Sequence, residues 1–477
     1  MLYNLAMPRL AWFSPLPPDR SGIAAYSSEL VPLLAHAHSI DIYIDRAAPT
    51  PTVDLGVPVW PSTDFIRRHQ AQPYDLVVYQ IGNARCHDYM WAYLGRFPGL
   101  VVLHDAQLHH ARAMNLLTSG RAADYRAEFA FCHPDANPGL AELVIAALGG
   151  SLYFLWPLNR VPIDCARLVA VHSPGLAAQL RESYPAQEFH VVEMGVADPT
   201  VGPSDLRPAS PNPRGGEGGT FRPSEVRSRH AIPAERVLFA AYGMLTPEKR
   251  LTEIFKAMRS LLTAIPDMHL LLVGQPADYY DVEADARGHG VAEHVSVTGY
   301  VTDGELPSYL AAADVCLCLR WPTSRETSAS WLRCLAAGKP TVVNDLVHTA
   351  DVPALDPRSW TPTMPITKSG DGRSGAAVGP ICVAVDIVDE QHSLGLAMRR
   401  LARDGQLREE LGRRAREYWA AGHTLGRMAA DYHEAIEAAL RRPAPDRSHL
   451  PAHLLQDGTA LTRRILGEFG LSMGALD

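Results

Sequence analysis

The sequence predicts an α/β protein of two Rossmann-like domains, each a doubly wound parallel sheet, facing one another across a cleft. Short apolar runs alternate with helix-compatible segments up to about residue 200, and the same alternation restarts after residue 230. Between the two lie residues 202–227, rich in Pro and Gly and almost free of large apolar side chains, which read as a flexible insert or linker. The 477 residues suffice for two or three domains.

In the first half, residues 9–13 are a short apolar strand running into a Pro- and Gly-containing loop. Residues 23–34 follow with helical spacing at Ile23, Tyr26, Leu30, Leu33 and Leu34. Ser21-Gly22 at that helix start is the usual ligand-facing corner of such a domain, without the GxGxxG spacing of a dinucleotide site. Residues 40–44, 76–79 and 99–103 are further strands. The last ends in His104-Asp105, and a histidine at the tip of a buried parallel strand lies on the ligand side by topology. A satisfied, hydrogen-bonded tip histidine is the plainer alternative. A metal site from His104, Asp105 and His109 has no recognised ligand spacing. The strand at 76–79 leads into Gln80-Ile-Gly-Asn83 and His87, where Gly82 permits a tight turn and Asn83 could be its turn residue. Residues 106–160 read as helices, one of them broken at Gly149-Gly150. Strands at 168–171 and 190–193, with a helix at 174–182 between them, close this half.

The second half repeats the scheme with strands at 236–242, 268–273, 295–298, 315–319, 340–343 and 381–385. The first of these runs into Gly243-Met244 and, beyond Lys249-Arg250, an amphipathic helix to residue 262. Residues 320–345 are the stretch around which the chain is organised: a polar turn with Pro322, Thr323 and Ser324, a helix from about Glu326, then a strand. Leu332, Leu335 and Ala336 give that helix an apolar face, and Gly338 and Pro340 end it. Glu326, Thr327 and Ser328 lie at its N-terminus, where unpaired N–H groups and the helix dipole favour an anion. Simple capping by Thr323 or Ser324 explains the same pattern. Residues 393–440 are helical and charged, and 461–469 form one more amphipathic piece. The expected division is 1–200 (first domain), 201–230 (linker), 231–422 (second domain) and 423–477 (helices and tail).

A net charge of −8 and a pI near 6.2 argue against nucleic acid as a partner, while leaving room for local contact with lipid head groups. No apolar run reaches the length of about 18 residues that a transmembrane helix needs. The first residues lack a signal-peptide pattern, so a cytoplasmic protein is expected, with peripheral contact at the inner membrane face open to it. Seven scattered cysteines read as reduced thiols rather than zinc ligands or disulfides.

Facing domains would set Ser21, Gly22, Asn83, His104 and Asp105 against Gly243–Arg250, Tyr300, Val301 and residues 320–328. Gly243 allows close backbone approach, and Lys249 and Arg250 supply positive charge. Such a cluster can stabilise a departing diphosphate without a metal. A solvated helix face is the plain reading of Lys249-Arg250.

These residues carry a resemblance. Gly243-Met-Leu-Thr-Pro-Glu-Lys249, Val297-Thr-Gly-Tyr-Val301 with Glu305 and Tyr309-Leu-Ala-Ala-Ala-Asp314, Leu335-Ala-Ala-Gly-Lys-Pro340 and Val102-Leu-His-Asp105 follow one another in the order and spacing of a known family. Over residues 8–432 the chain resembles the retaining, nucleotide-sugar-dependent glycosyltransferases of family 4, which have the GT-B fold. The resemblance implies sugar transfer from a nucleotide-diphosphate sugar as co-substrate to a carbohydrate or lipid-linked acceptor, as in polysaccharide biosynthesis, with front-face retention and no metal cofactor. It implies His104 and Glu326 at the reacting sugar. Donor contacts would come from Gly243, Lys249, Arg250, Tyr300, Val301, Arg325, Thr327 and Ser328, and acceptor-side contacts from Ser21, Gly22, Asn83 and Asp105. A helix around 423–440 would cross back onto the first domain. The chain also departs from the family. Met244 replaces the arginine of a Gly-Arg pair, for which Arg250 is the expected substitute. Two glutamates eight residues apart fall on Arg325 and Arg333, and the second of them contacts the donor ribose in the family. A catalytically degenerate sugar-nucleotide-binding or assembly subunit, and a nucleotide-sugar 2-epimerase working through carboxylates, are the competing expectations.

Overall fold

The computed structural model describes residues 7–200, 222–325, 327–346, 349, 351–363, 379–456 and 458–472. Two seven-stranded parallel sheets organise the chain. The first contains β1 (Arg9–Phe13), β2 (Ser39–Ile44), β3 (Val59–Pro61), β4 (Leu76–Ile81), β5 (Leu100–Leu103), β6 (Leu168–Val171) and β7 (Phe189–Val191), in the order 3-2-1-4-5-6-7. The second contains β8 (Val237–Tyr242), β9 (Met268–Val273), β10 (Val295–Val297), β11 (Val315–Leu317), β12 (Thr341–Asp345), β13 (Ala354–Leu355) and β14 (Cys382–Asp386), in the order 10-9-8-11-12-14-13. The central strands β4, β5, β6 and β9 are buried along their whole length because helices cover both faces, which is why they appear in sequence as unbroken apolar runs. In each sheet the strand order reverses once, between β1 and β4 and between β8 and β11. A crevice opens outside the strand ends at such a reversal.

Two edge strands, β3 and β13, were not expected. They are too short to show a period, and β3 ends in Pro61, which only an edge tolerates. The predicted linker is shorter than expected: residues 223–229 are a helix, opened by Pro223 and anchored by the buried Val226, which packs with Leu310 and Ala313. The Pro and Gly content around it hid a single apolar contact.

The C-terminal helices are Glu390–Arg403, Gly405–Gly422 and Leu425–Leu440. The last crosses to the first domain, where the Tyr432 hydroxyl lies 2.8 Å from that of Tyr26 and its ring 5.5 Å from Trp12. Leu450 and Leu454 of the tail are buried in the same domain's second core layer. Helix Ala460–Glu468 buries no side chain. Among the described residues no helix is long and apolar enough to cross a membrane.

Candidate functional site

The tips of β1, β4 and β5 build the first wall. Ser21 caps helix Gly22–Leu34, accepting from the Ile23 N–H at 3.2 Å, and a side chain added at Gly22 would meet open space. Asn83 is a hub: its N–H donates to Asp105 at 2.6 Å, and its Oδ1 accepts from the Ala111 N–H at 2.9 Å. Asp105 therefore braces the β4 turn.

His104 is only 5% exposed. Its Nε2 lies 2.7 Å from the end of the Gln80 side-chain amide, its Nδ1 3.1 Å from His172 Nε2, and the Tyr26 ring packs edge-on against it at 4.7 Å. Burial, with His172 and His87 nearby, holds its pKa well below the ordinary imidazole value, so the ring is neutral. Both ring nitrogens are thus engaged, as in the satisfied tip histidine that the sequence left open as the plainer alternative. His109 turns away to the Tyr125 hydroxyl at 2.8 Å, which separates it from His104.

The second wall is the edge formed by β8–β11 and the helix Ala329–Ala336. That helix starts later than predicted because Ser328 is its cap, accepting from the Trp331 N–H at 3.2 Å. Gly243, with φ +92°, turns the chain at the β8 tip, and a side chain there would meet Lys249 Nζ and Ser330 Oγ, both at 3.4 Å. Lys249 donates to the Tyr242 carbonyl at 2.6 Å, which aims its ammonium along this edge. Ser330 was missed in the sequence, and its place in the first turn after the cap was the available signal. Thr327 is half-buried and its hydroxyl makes no hydrogen bond among the described residues.

The two arginines, both expected as donor contacts, differ in their surroundings. Arg250 forks onto Glu390 through Nε, at 3.0 and 2.9 Å, and through Nη2, at 2.5 Å, and Asn344 also donates to Glu390. Its charge is neutralised inside the second domain, so it does not stand in for the arginine that Met244 replaces. Arg325 is half-buried with φ +62°, its backbone N–H donating to Thr323 Oγ1 at 3.0 Å. Burial lowers its pKa, and no carboxylate among the described residues pairs with its guanidinium. Glu326 lies outside the described residues.

The walls touch. The Ser324 carbonyl accepts from the Ala106 and Gln107 N–H groups at 2.9 and 3.2 Å, and Asn83 Nδ2 donates to Ser324 Oγ at 3.3 Å. The Arg20 guanidinium sits 4.3 Å from the centre of the Tyr300 ring, and Arg333 donates to Glu29 at 3.0 Å. Arg333 is thus occupied by an ion pair between domains at the position of the expected ribose contact. Val301 is partly buried, packed against the core that contains Tyr309 and Leu310. The exposed large apolar side chains described between residues 222 and 422 are Met244, Tyr279, Tyr300, Trp321 and Val388. Each lies in a loop that follows a strand of the second sheet, an apolar rim suited to flat rings. No cluster of three or more His, Cys, Asp and Glu side chains suited to a metal ion occurs among the described residues.

Comparison with known proteins agrees with this geometry. Residues 224–352 match the family Glycosyl transferases group 1. A stretch of 108 residues is 32% identical to a GDP-mannose-dependent alpha-(1-6)-phosphatidylinositol monomannoside mannosyltransferase of Mycobacterium tuberculosis, covering 22% of this chain and 28% of that protein. The chain therefore spans little more than a quarter of the length of the curated relatives it matches. A sucrose-phosphate synthase from Thermosynechococcus elongatus superposes with a TM-score of 0.59 at 15% identity, over 90% of this chain and 98% of that one. Anabaena Alr3699/HepE in complex with UDP superposes with a TM-score of 0.58 at 14% identity, over 91% and 100%. Facing parallel sheets, a closing C-terminal helix and these likenesses make the architecture GT-B, and residues 224–352 of it match the glycosyl transferases group 1 model.

Proposed function

We propose that the protein transfers a sugar from a nucleotide-diphosphate sugar to a hydroxyl acceptor with retention of configuration. The observation that carries the reading is Arg325, a half-buried guanidinium at the cleft with no acidic partner among the described residues. A buried charge without a partner is costly, and an anionic ligand removes the cost. Lys249, the Ser330 hydroxyl and the N-terminus of helix Ala329–Ala336 supply donors along the same edge, and Gly243 leaves room between them, so a diphosphate fits there. As the bond from the sugar to phosphate breaks, its electron pair stays on the phosphate oxygen, where these donors stabilise it without calling on a metal. The acceptor hydroxyl attacks from the same face, and its proton passes to the departing oxygen. Thr327 and Ser330 would hold donor oxygens, Tyr300 and Val301 the base, and Ser21, Gly22 and Asn83 would line the acceptor side, with Glu326 at the sugar. A nucleotide-sugar donor suits a cytoplasmic protein. A lipid-linked acceptor, as in the name of the mycobacterial relative, would bring the first domain to the inner membrane face.

One alternative has observations in its favour: Met244, Arg333 and the neutralised Arg250 leave fewer donor contacts than the resembled family has, as a binding-only subunit would. Incubation with UDP-, GDP- and ADP-sugars without acceptor separates the two. Slow release of a nucleoside diphosphate, lost in Lys249→Ala and Arg325→Ala, supports transfer. Nucleotide binding with no turnover of any donor supports the binding-only reading.

A further inference from the structure

The loop that leads to Arg325 is fixed at its start to its own domain and at Ser324 to the facing one. The Arg320 N–H donates to Asn344 Oδ1 and the Trp321 N–H to the Glu248 carbonyl, both at 2.7 Å and both within the second domain. Ser324 is different. Among the described residues all three of its hydrogen bonds run to the first domain. Its carbonyl accepts from the Ala106 and Gln107 N–H groups at 2.9 and 3.2 Å, and its Oγ accepts from Asn83 Nδ2 at 3.3 Å. Ala106 and Gln107 are each 1% exposed, so without that carbonyl two buried N–H groups would lose their partner.

Asn83 is oriented independently of Ser324. A backbone N–H only donates, and that of Ala111 donates to Asn83 Oδ1 at 2.9 Å, so the NH₂ end of the amide faces Ser324. The Asn83 N–H is held in turn by Asp105 at 2.6 Å. A fixed donor thus meets the loop one residue before Arg325. Arg325 needs such support. Its φ of +62° is left-handed backbone, which a residue with a side chain keeps only where its surroundings hold it. Its N–H turns back to Thr323 Oγ1 at 3.0 Å, closing a tight turn around Ser324. That turn is therefore pinned from across the cleft. Arg325 is half-buried and pairs with no carboxylate among the described residues, so no ion pair there fixes where its charge stands.

We infer that Asn83 is a positioning residue for Arg325: by latching Ser324 from the first domain, it sets the guanidinium for the donor diphosphate. A side chain of one domain thereby governs a binding group of the other. The inference rests on the proposed sugar-transfer reading for the ligand, and on the hydrogen bonds alone for the latch. It gives Asn83 a share in donor binding, beyond the acceptor side on which it lies.

Two measurements on the full chain test it. Without ligand, trypsin cleavage after Arg325, followed by mass spectrometry, should be about fivefold faster in Asn83→Ala, the order of one neutral hydrogen bond. With UDP, GDP and ADP as probes, titration calorimetry should show affinity for those that bind falling about fivefold in the same variant. In an Arg325→Ala background Asn83→Ala should change the remaining affinity no further, a result that a merely structural Asn83 would not give. An unchanged cleavage rate overturns the latch, and an affinity loss that persists in full without Arg325 overturns the positioning role. Asn83 also accepts from the Ala111 N–H, so should Asn83→Ala not fold, Ser324→Ala removes the same bond from the loop side and should give the same results. A wild-type chain that binds none of the three probes overturns the ligand clause together with the sugar-nucleotide reading. Faster cleavage with unaltered affinity overturns the ligand clause alone.

Discussion

Arg333 of the second domain pairs with Glu29 of the first at 3.0 Å, directly bridging the cleft from the helix whose cap is Ser328. Their side chains remain 21% and 26% exposed, so the pair adds little to stability, about 0–1 kcal/mol. Its consequence is geometric, because it holds the walls at one separation. Arg333→Ala should leave the thermal midpoint nearly unchanged yet increase the radius of gyration measured by small-angle scattering. The exchange Glu29→Arg with Arg333→Glu should restore the compact value. An unchanged radius in the single variant removes the bridging role.

Arg250 and Arg325 should respond in opposite ways. Removing Arg250 strands Glu390, whose side chain is 6% exposed, so Arg250→Ala should cost about 2 kcal/mol in urea denaturation, less than a fully buried pair because the guanidinium keeps some solvent. Nucleoside diphosphate affinity of the folded variant should be unchanged. Arg325→Ala relieves a desolvated, unpaired charge and should leave stability the same or slightly higher, while affinity falls about tenfold to a hundredfold, the loss of a charge-assisted hydrogen bond. Titration calorimetry beside denaturation reads both. Equal affinity losses in the two variants would mean that Arg250 leaves Glu390 when the ligand arrives.

This pair also shows where the sequence stopped being legible. The strands were readable because burial on both faces writes itself as apolar runs, and the places of Gly243 and His104 at strand tips followed from topology. The partner of Arg250 was not readable: Glu390 is 140 residues away, and no local pattern records a contact between separate βα units. The partner of Arg333 was hidden for the same reason, since Glu29 lies 304 residues earlier. His104 was placed correctly at a tip, but its engagement by His172 and Gln80 depends on the neighbouring strand tips, which a single chain does not order.

Stability should fall on mild acidification. Burial lowers the pKa of His87, His109, His172 and His269 from 6.5 to about 4. Because each folded value lies below the unfolded one, the unfolded chain binds more protons between about 4 and 6.5. Stability from these groups is full above that window and is lost as pH falls through it. Asp88, raised to about 6 by burial, works in the opposite sense, as do the raised Asp19, Asp345, Asp351 and Asp431. But His38, His69, His104, His133, His230 and His423 are lowered too, and the histidines outnumber the aspartates. Denaturant midpoints taken from neutral pH to pH 5 should therefore decline, and His172→Gln should flatten the decline by removing one titrating ring. A midpoint that rises on acidification would contradict the neutral, buried histidines.

Two glycines at the second sheet's edge separate fold from ligand. Gly274 has φ +152°, and a Cβ there would lie 2.0 Å from the Gly243 carbonyl oxygen. That contact is backbone against backbone, so the β8 and β9 tips must part and the Gly243 N–H must lose the Val273 carbonyl, now at 2.9 Å. Gly274→Ala should cost about 2–3 kcal/mol of stability. Gly243→Ala meets only the ends of Lys249 and Ser330 at 3.4 Å, and its φ of +92° adds strain on the order of 1–2 kcal/mol. Its methyl, however, fills the point where the ammonium and the hydroxyl converge, which is where the proposed diphosphate would place an oxygen. Nucleoside diphosphate affinity should then drop at least about tenfold in the folded variant, beyond anything its stability loss explains. If Gly243→Ala binds as wild type does, the diphosphate lies elsewhere along the cleft and Gly243 serves only to turn the chain.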